Sequence, residues 1–283
     1  RELSTAYPAG YVNMDVRDPN GLVEVERTLE RMGLHLARVE RPSLLISTAE
    51  LQPIPANLFL LNGVLAGTQC AMASAPSLTW LRSAHAHPRV ARGVRAAWIP
   101  TTDSPEEQGA LGVLRSAAEE PLRAHGLELS CEALAPRSLA GADLAFIGAH
   151  GGISPEGMFF RVVADERSAR FSARELASRV AGAGVVILAI CNGGRVDRNP
   201  LARATVGLAR LLLDHGCRAV IASPWSLDVS VIQRWLPAFL SRFDAGAPVI
   251  EAIHAGNQAV MRFSHHPFYS LAMNVVGDPW ATR

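Results

Sequence analysis

Two short strings hold side chains able to attack a carbonyl carbon. Cys191 stands in Ala189-Ile-Cys-Asn-Gly-Gly194, and His150 stands 41 residues earlier in Ala149-His-Gly-Gly152. A thiolate is a strong nucleophile, and an imidazole within reach can take and return its proton. Glycines beside both residues let the backbone approach a substrate closely and leave N–H groups for an oxyanion. The expected machinery is a dyad: His150 as general base and acid, Cys191 as nucleophile, and the N–H groups of Gly151 and Cys191 as oxyanion donors. A cysteine after an apolar strand is more often inert packing, and a glycine there is more often a plain turn. Two such strings at neighbouring strand ends outweigh that reading. Cys70, Cys131 and Cys217 have no comparable partner and are read as packing.

The elements around these strings must place them. Residues 144–149, 185–190 and 218–223 are apolar runs of strand length, and helices alternate with them. A capping box, Ser172-Ala-Arg-Glu175, opens one helix that ends near Gly182 or Gly184. Others are expected over about 201–215, 228–243 and 248–263. Strands apolar on both faces, alternating with helices, make a parallel sheet covered on each side. Ligands bind such sheets beyond the carboxyl ends of the strands. His150 and Cys191 fall there, each the first residue past its strand. The first half is less regular: a helix over 23–32, short strands over 44–48 and 93–99, and a helix from Pro105 to about His125. Thr101-Thr-Asp-Ser104 introduces that helix and Gly126 stops it. The expected division is residues 1–140 as a scaffold half and 141–283 as the half carrying the dyad.

Composition removes whole classes of chemistry. The 283 residues carry 27 basic and 26 acidic side chains, a formal net charge of +1, and every basic residue among the 27 is arginine. Without lysine there is no phosphate-loop lysine, no Schiff base and no Ser–Lys dyad. Near-neutral charge argues against a broad basic surface for nucleic acid. No apolar run approaches the ~18 residues of a membrane span. Four cysteines without a C-x-x-C pair make neither a disulfide scaffold nor a zinc site, so no metal is expected. His-Gly-Gly also occurs in the oxyanion loop of α/β-hydrolases, but the G-x-S-x-G elbow those enzymes need is missing. The chain starts Arg1-Glu2-Leu3-Ser4, with no signal peptide and no initiator methionine, as a trimmed or processed piece would. A cytoplasmic protein is expected.

Further motifs run in a fixed order along the chain. Leu51-Gln-Pro-Ile-Pro-Ala-Asn-Leu58 and Ala75-Pro-Ser-Leu-Thr79 come first, then the two reactive strings. Gly207-Leu-Ala-Arg210, Gly216-Cys-Arg-Ala-Val-Ile-Ala-Ser223 and Pro224-Trp-Ser-Leu-Asp228 follow, and His266-Pro-Phe-Tyr269 with Val276-Gly-Asp-Pro-Trp280 closes the set. Over roughly residues 44–280 this series resembles the CHAT family, caspase-like cysteine peptidases related to separases and caspases. Ile190-Cys-Asn-Gly193 is similar to the caspase Q-A-C-x-G, and the His-to-Cys interval is near the caspase one. The family more usually has Ser-Ala before the cysteine and Thr-Gly or Ser-Gly after it, where this chain has Ala189-Ile190 and Gly193-Gly194.

The resemblance implies a caspase-like α/β fold with a mostly parallel sheet, peptide-bond hydrolysis of a protein substrate, and no cofactor. It also implies a subsite. In separases an Asp shortly after a Trp binds a basic P1 residue, and here Trp225-Ser-Leu-Asp228 follows the third strand, with Ser223 just before. A carboxylate at Asp228 would match arginine bidentately. The family's Asp usually sits four residues past the Trp, where Val229 stands, and Asp is equally a favoured helix N-cap. Both roles for Asp228 stay open. Family context implies a bacterial defence or regulated-proteolysis system with a sensor or activator on another chain; the lysine-free, Ala/Arg-rich composition fits a GC-rich bacterial gene. The alternative is a non-catalytic protein-interaction module that uses the same cleft. The presence of both reactive side chains favours the endopeptidase.

Overall fold

All six residues of Val185–Ile190 are buried. A strand with no face for water needs a neighbour on each edge and helices on each side. The computed structural model supplies both; it describes residues 35–36, 43–46, 55–87, 89–101, 105–133, 135–153, 160–163, 170–194, 197–198 and 205–283. Ten strands share one sheet. In chain order they are β1 Ser43–Ile46, β2 Met72–Ala75, β3 Arg95–Trp98, β4 Glu128–Ser130 and β5 Leu144–Ile153. Then come β6 Phe160–Val163, β7 Arg170–Ser172, β8 Val185–Ile190, β9 Ala219–Ala222 and β10 Asn274–Gly277. The longer helices are α1 Leu78–Ala86, α2 Pro105–Ala124, α3 Ala173–Arg179, α4 Leu208–Asp214, α5 Val229–Asp244 and α6 Val249–Met261.

Strands β4, β3, β5, β8 and β9 lie side by side and parallel. β10 is antiparallel to β9, and β2 and β1 follow parallel to β10. β5 is the branch point. Its first part pairs with β3 and β8, while residues 150–153 pair antiparallel with β6, which carries β7. This is the mostly parallel α/β sheet that the alternation of apolar runs and helices predicts.

Alternation along the strands splits the core in two. Leu144, Phe146, Val185, Ile187 and Ala189 pack against Leu111 and Leu114 of α2 and against α5 and α6. Ala145, Ile147, Ala149, Val186, Leu188 and Ile190 pack against Leu176 of α3 and Leu208 and Leu212 of α4. Burying one such side chain fully contributes about 1.5–3 kcal/mol, so the β5 and β8 pair is the most firmly held part of the sheet.

Two expected boundaries shift. The strand expected to stop before His150 stays extended to Ile153, because β6 offers it a ladder. The helix expected from about 201 starts at Leu208 behind Gly207. Thr205–Val206 are extended instead and pair antiparallel with Asp197–Arg198, as suits two β-branched residues. The capping box at Ser172 forms as expected, with Ser172 and Glu175 satisfying each other's backbone N–H. The helix expected over 23–32 lies outside the described residues.

Candidate active site

Strand register brings the two reactive strings together. Ile190 lies opposite Ala149 in the parallel pairing of β8 with β5. Cys191 is therefore the first residue past β8, and beside it stands His150, where β5 leaves β8 and begins to pair with β6. Alternation sends the His150 side chain to the side of Phe146 and Gly148. The sulfur of Cys191 goes to the same side, because it accepts the N–H of Leu227 at 3.4 Å, and Leu227 packs on the cluster that contains Phe146. Both reactive residues are half-buried.

Helix α2 packs on β5 at Gly148, two residues before His150. A Cβ on Gly148 would meet Leu114 of α2 at 2.8 Å and Ile99 at 3.1 Å, so the helix lies directly on β5 there.

Gly151 is required by close approach. A Cβ there would meet the Cys191 carbonyl oxygen at 2.1 Å and Ile190 Cγ2 at 2.6 Å. A backbone atom cannot rotate away, so any side chain at this position pushes the nucleophile's loop off the sheet. The loop turns sharply at Asn192, which has φ of 59°, a left-handed conformation that Asn tolerates better than most residues.

One expectation about this turn is corrected. Its N–H groups are already engaged: Asn192 donates to the Trp225 carbonyl at 3.0 Å, Gly193 to Ile190 at 3.1 Å and Gly194 to Ser223 at 2.8 Å. The glycine turn thus supplies no donor for an oxyanion. Gly151 lies opposite Val162 in the pairing of β5 with β6, and the Cys191 N–H lies outside the set engaged in the turn.

Ser223 and Trp225 are 0% and 1% exposed. The Ser223 hydroxyl donates to the Trp225 carbonyl at 2.9 Å and accepts the Trp225 N–H at 3.3 Å. The indole N–H donates to the Phe268 carbonyl at 3.0 Å, with the two rings edge to face at 5.3 Å. Both side chains are thus buried and hydrogen-bonded. Asp228 is the N-cap of α5, where Oδ1 accepts the Ser230 N–H at 2.8 Å. The second carboxylate oxygen has no hydrogen-bond partner among the described residues, and the side chain is half-buried.

The other cysteines have different surroundings. Burial pushes the Cys217 thiol up to about 12 and raises that of Cys70; both pack in the core. Cys131 is partly exposed. Among the described residues no cluster of three or more His, Cys, Asp or Glu side chains is placed to hold a metal. Sequence reasoning missed the Leu227 N–H, because a backbone donor leaves no mark on residue type.

The CHAT domain family model matches residues 27–277. No curated protein sequence matches the chain. Among solved structures, the chain is similar to the separase of the Saccharomyces cerevisiae separase–securin complex, with 13% identity and a TM-score of 0.58 over 84% of this chain and 16% of that one. It is similar to the Arg-specific cysteine proteinase gingipain R, with 13% identity and a TM-score of 0.51 over 94% of this chain and 68% of that one. It is also similar to the complex of Porphyromonas gingivalis RgpB pro- and mature domains, with 13% identity and a TM-score of 0.53 over 94% and 70%. At these identities the likeness is one of fold, the caspase-like α/β fold.

Proposed function

The chain belongs to the CHAT domain family, and from that premise we propose that it is a cysteine endopeptidase cutting a protein target through His150 and Cys191. The observation that carries this reading is the register of β5 with β8, which puts the two residues side by side at one rim. In the proposed reaction the Cys191 thiolate attacks the scissile carbonyl, and the N–H groups of Gly151 and Cys191 hold the oxyanion. His150 gives a proton to the leaving amine as the C–N bond breaks. It then takes one from the water that hydrolyses the thioester, restoring the thiolate–imidazolium pair and releasing the new carboxyl end.

For P1 we propose a basic residue bound by Asp228. Its Oδ1 caps α5, and the remaining oxygen is the one that would meet a guanidinium. Gingipain R, similar in fold, is Arg-specific, which supports this choice. Ser223 and Trp225 then hold the subsite from behind. We further propose that residues 1–140 serve as the scaffold half and 141–283 as the catalytic half. Family context supports a place in bacterial defence or regulated proteolysis, with activation by a partner on another chain. Four free cysteines support a reducing, cytoplasmic setting. No helix among the described residues is long and apolar enough to cross a membrane.

The test is cleavage of a peptide library by the purified chain and by Cys191→Ala and His150→Ala variants. Both variants should drop to background, on the order of a thousandfold or more, with circular dichroism unchanged. Undiminished cleavage by Cys191→Ala would overturn the enzyme reading. A chain that cuts nothing but still captures a protein partner would be the interaction module.

A further inference from the structure

We infer that the backbone N–H of Leu227 is a catalytic group that holds the Cys191 sulfur as an anion, and that Ser223 is the positioning residue that sets it there. The inference rests on Cys191 being the nucleophile. It starts from two distances. The Leu227 nitrogen is 3.4 Å from the sulfur and the Leu227 carbonyl oxygen is 4.0 Å away. The shorter contact is the one in which sulfur accepts, and a thiolate accepts far better than a thiol.

The donor is held rigidly. The segment 223–227 and the nucleophile's turn are joined by three hydrogen bonds running in both directions. Asn192 and Gly194 donate to the carbonyls of Trp225 and Ser223, and Leu227 donates back to the sulfur. Within the segment, the buried Ser223 hydroxyl closes the turn on both the N–H and the carbonyl of Trp225. Trp225 is pinned in turn to Phe268. One residue beyond Leu227, Asp228 caps α5, so a 16-residue helix points its positive end at this corner. The turn cannot slide without breaking several of these bonds at once.

Among the described residues, His150 of β5 stands beside Cys191, and Asp228 at the start of α5 is the residue after Leu227. A backbone donor acts on the anion in either protonation state of His150 and adds to the effect of the imidazole. The two roles then separate: Leu227 holds the charge, and His150 moves the proton.

The experiment is alkylation of Cys191 by iodoacetamide across pH, read by peptide mapping in the full chain. Leu227→Pro deletes the donor, and Leu227→Ala keeps it. In Leu227→Pro the pH of half-maximal labelling should move up by about one unit, the size of a single hydrogen bond to a charged group. The rate at pH 7 should fall only about threefold, since a more basic thiolate is also more nucleophilic. Leu227→Ala should keep the wild-type pH dependence. If Leu227→Pro does not fold, the amide proton resonance of Leu227 in the otherwise wild-type chain decides: it should titrate in step with Cys191 labelling and lose that titration in Cys191→Ala. A Leu227 amide that stays flat, an unmoved profile in Leu227→Pro, or an equal shift in Leu227→Ala would overturn the inference. None of these outcomes bears on whether Cys191→Ala abolishes cleavage, so the enzyme reading stands or falls separately.

Discussion

Asp228 does one visible job and is assigned a second. As N-cap it accepts the Ser230 N–H, a role that Asn fills about as well as Asp. Binding a P1 arginine needs the charge as well as the oxygen, and losing one partner of a buried charged contact costs about 2–5 kcal/mol. Asp228→Asn should therefore leave the thermal midpoint of the chain unchanged while kcat/KM after arginine falls by about 30-fold to several thousandfold. Unaltered arginine cleavage would leave Asp228 as a cap and nothing more. Gly151 is the opposite case, where a residue without a side chain is irreplaceable because the Cys191 carbonyl occupies the space a side chain needs. The reactive letters were legible in the sequence, since His-Gly-Gly and Cys-Asn-Gly-Gly both end apolar runs. The use of each glycine was not, because close approach is a property of two segments 40 residues apart.

Elements are tied at the rim opposite the site by a charged clamp. Asp244 at the end of α5 accepts from Arg95 at the start of β3 and lies 2.7 Å from Nδ1 of His125, just past α2. Burial opposes the charge on Asp244, but hydrogen bonds from Arg95 and His125, together with their charge, hold its carboxyl below the ordinary range. A lowered carboxylate contributes stability in full above its unfolded value of ~3.9 and loses it as pH falls through the folded one. Asp244→Asn should thus destabilise the chain by about 1–2 kcal/mol near pH 7. The deficit should vanish near pH 2, as seen by urea titration at both pH values, and peptidase activity should be unchanged. An equal deficit at both would mean that packing, not charge, joins these elements. Strands β8 and β9 could be read from the sequence because both their faces are apolar. The far end of β5 could not, because its extension past His150 depends on pairing with β6.

At the scale of the whole molecule, the two halves of the chain share one sheet and both of the cores that flank it. Asn57, ahead of β2, and Asn257 of α6 both donate to the Met273 carbonyl, at 3.2 and 3.1 Å, and both are buried. Asp278, 1% exposed, accepts from Arg218 at 2.7 Å and from the Trp280 N–H at 3.0 Å, which latches the closing segment under β9. Motifs that stood out in the sequence at Asn57 and Asp278 are thus structural, while those at His150 and Cys191 meet at the rim. Covalent capture by a peptide-derived inhibitor tests that division directly. The chain would be treated near pH 7.5 with an arginyl acyloxymethyl ketone, which reacts only with a nucleophile seated against a bound peptide. Intact mass and peptide mapping should show one adduct, on Cys191, with Cys70 and Cys217 spared by burial and their raised thiols. An adduct on Cys131 instead, or none from a chain that still cuts peptides after arginine, would contradict Cys191 as the nucleophile.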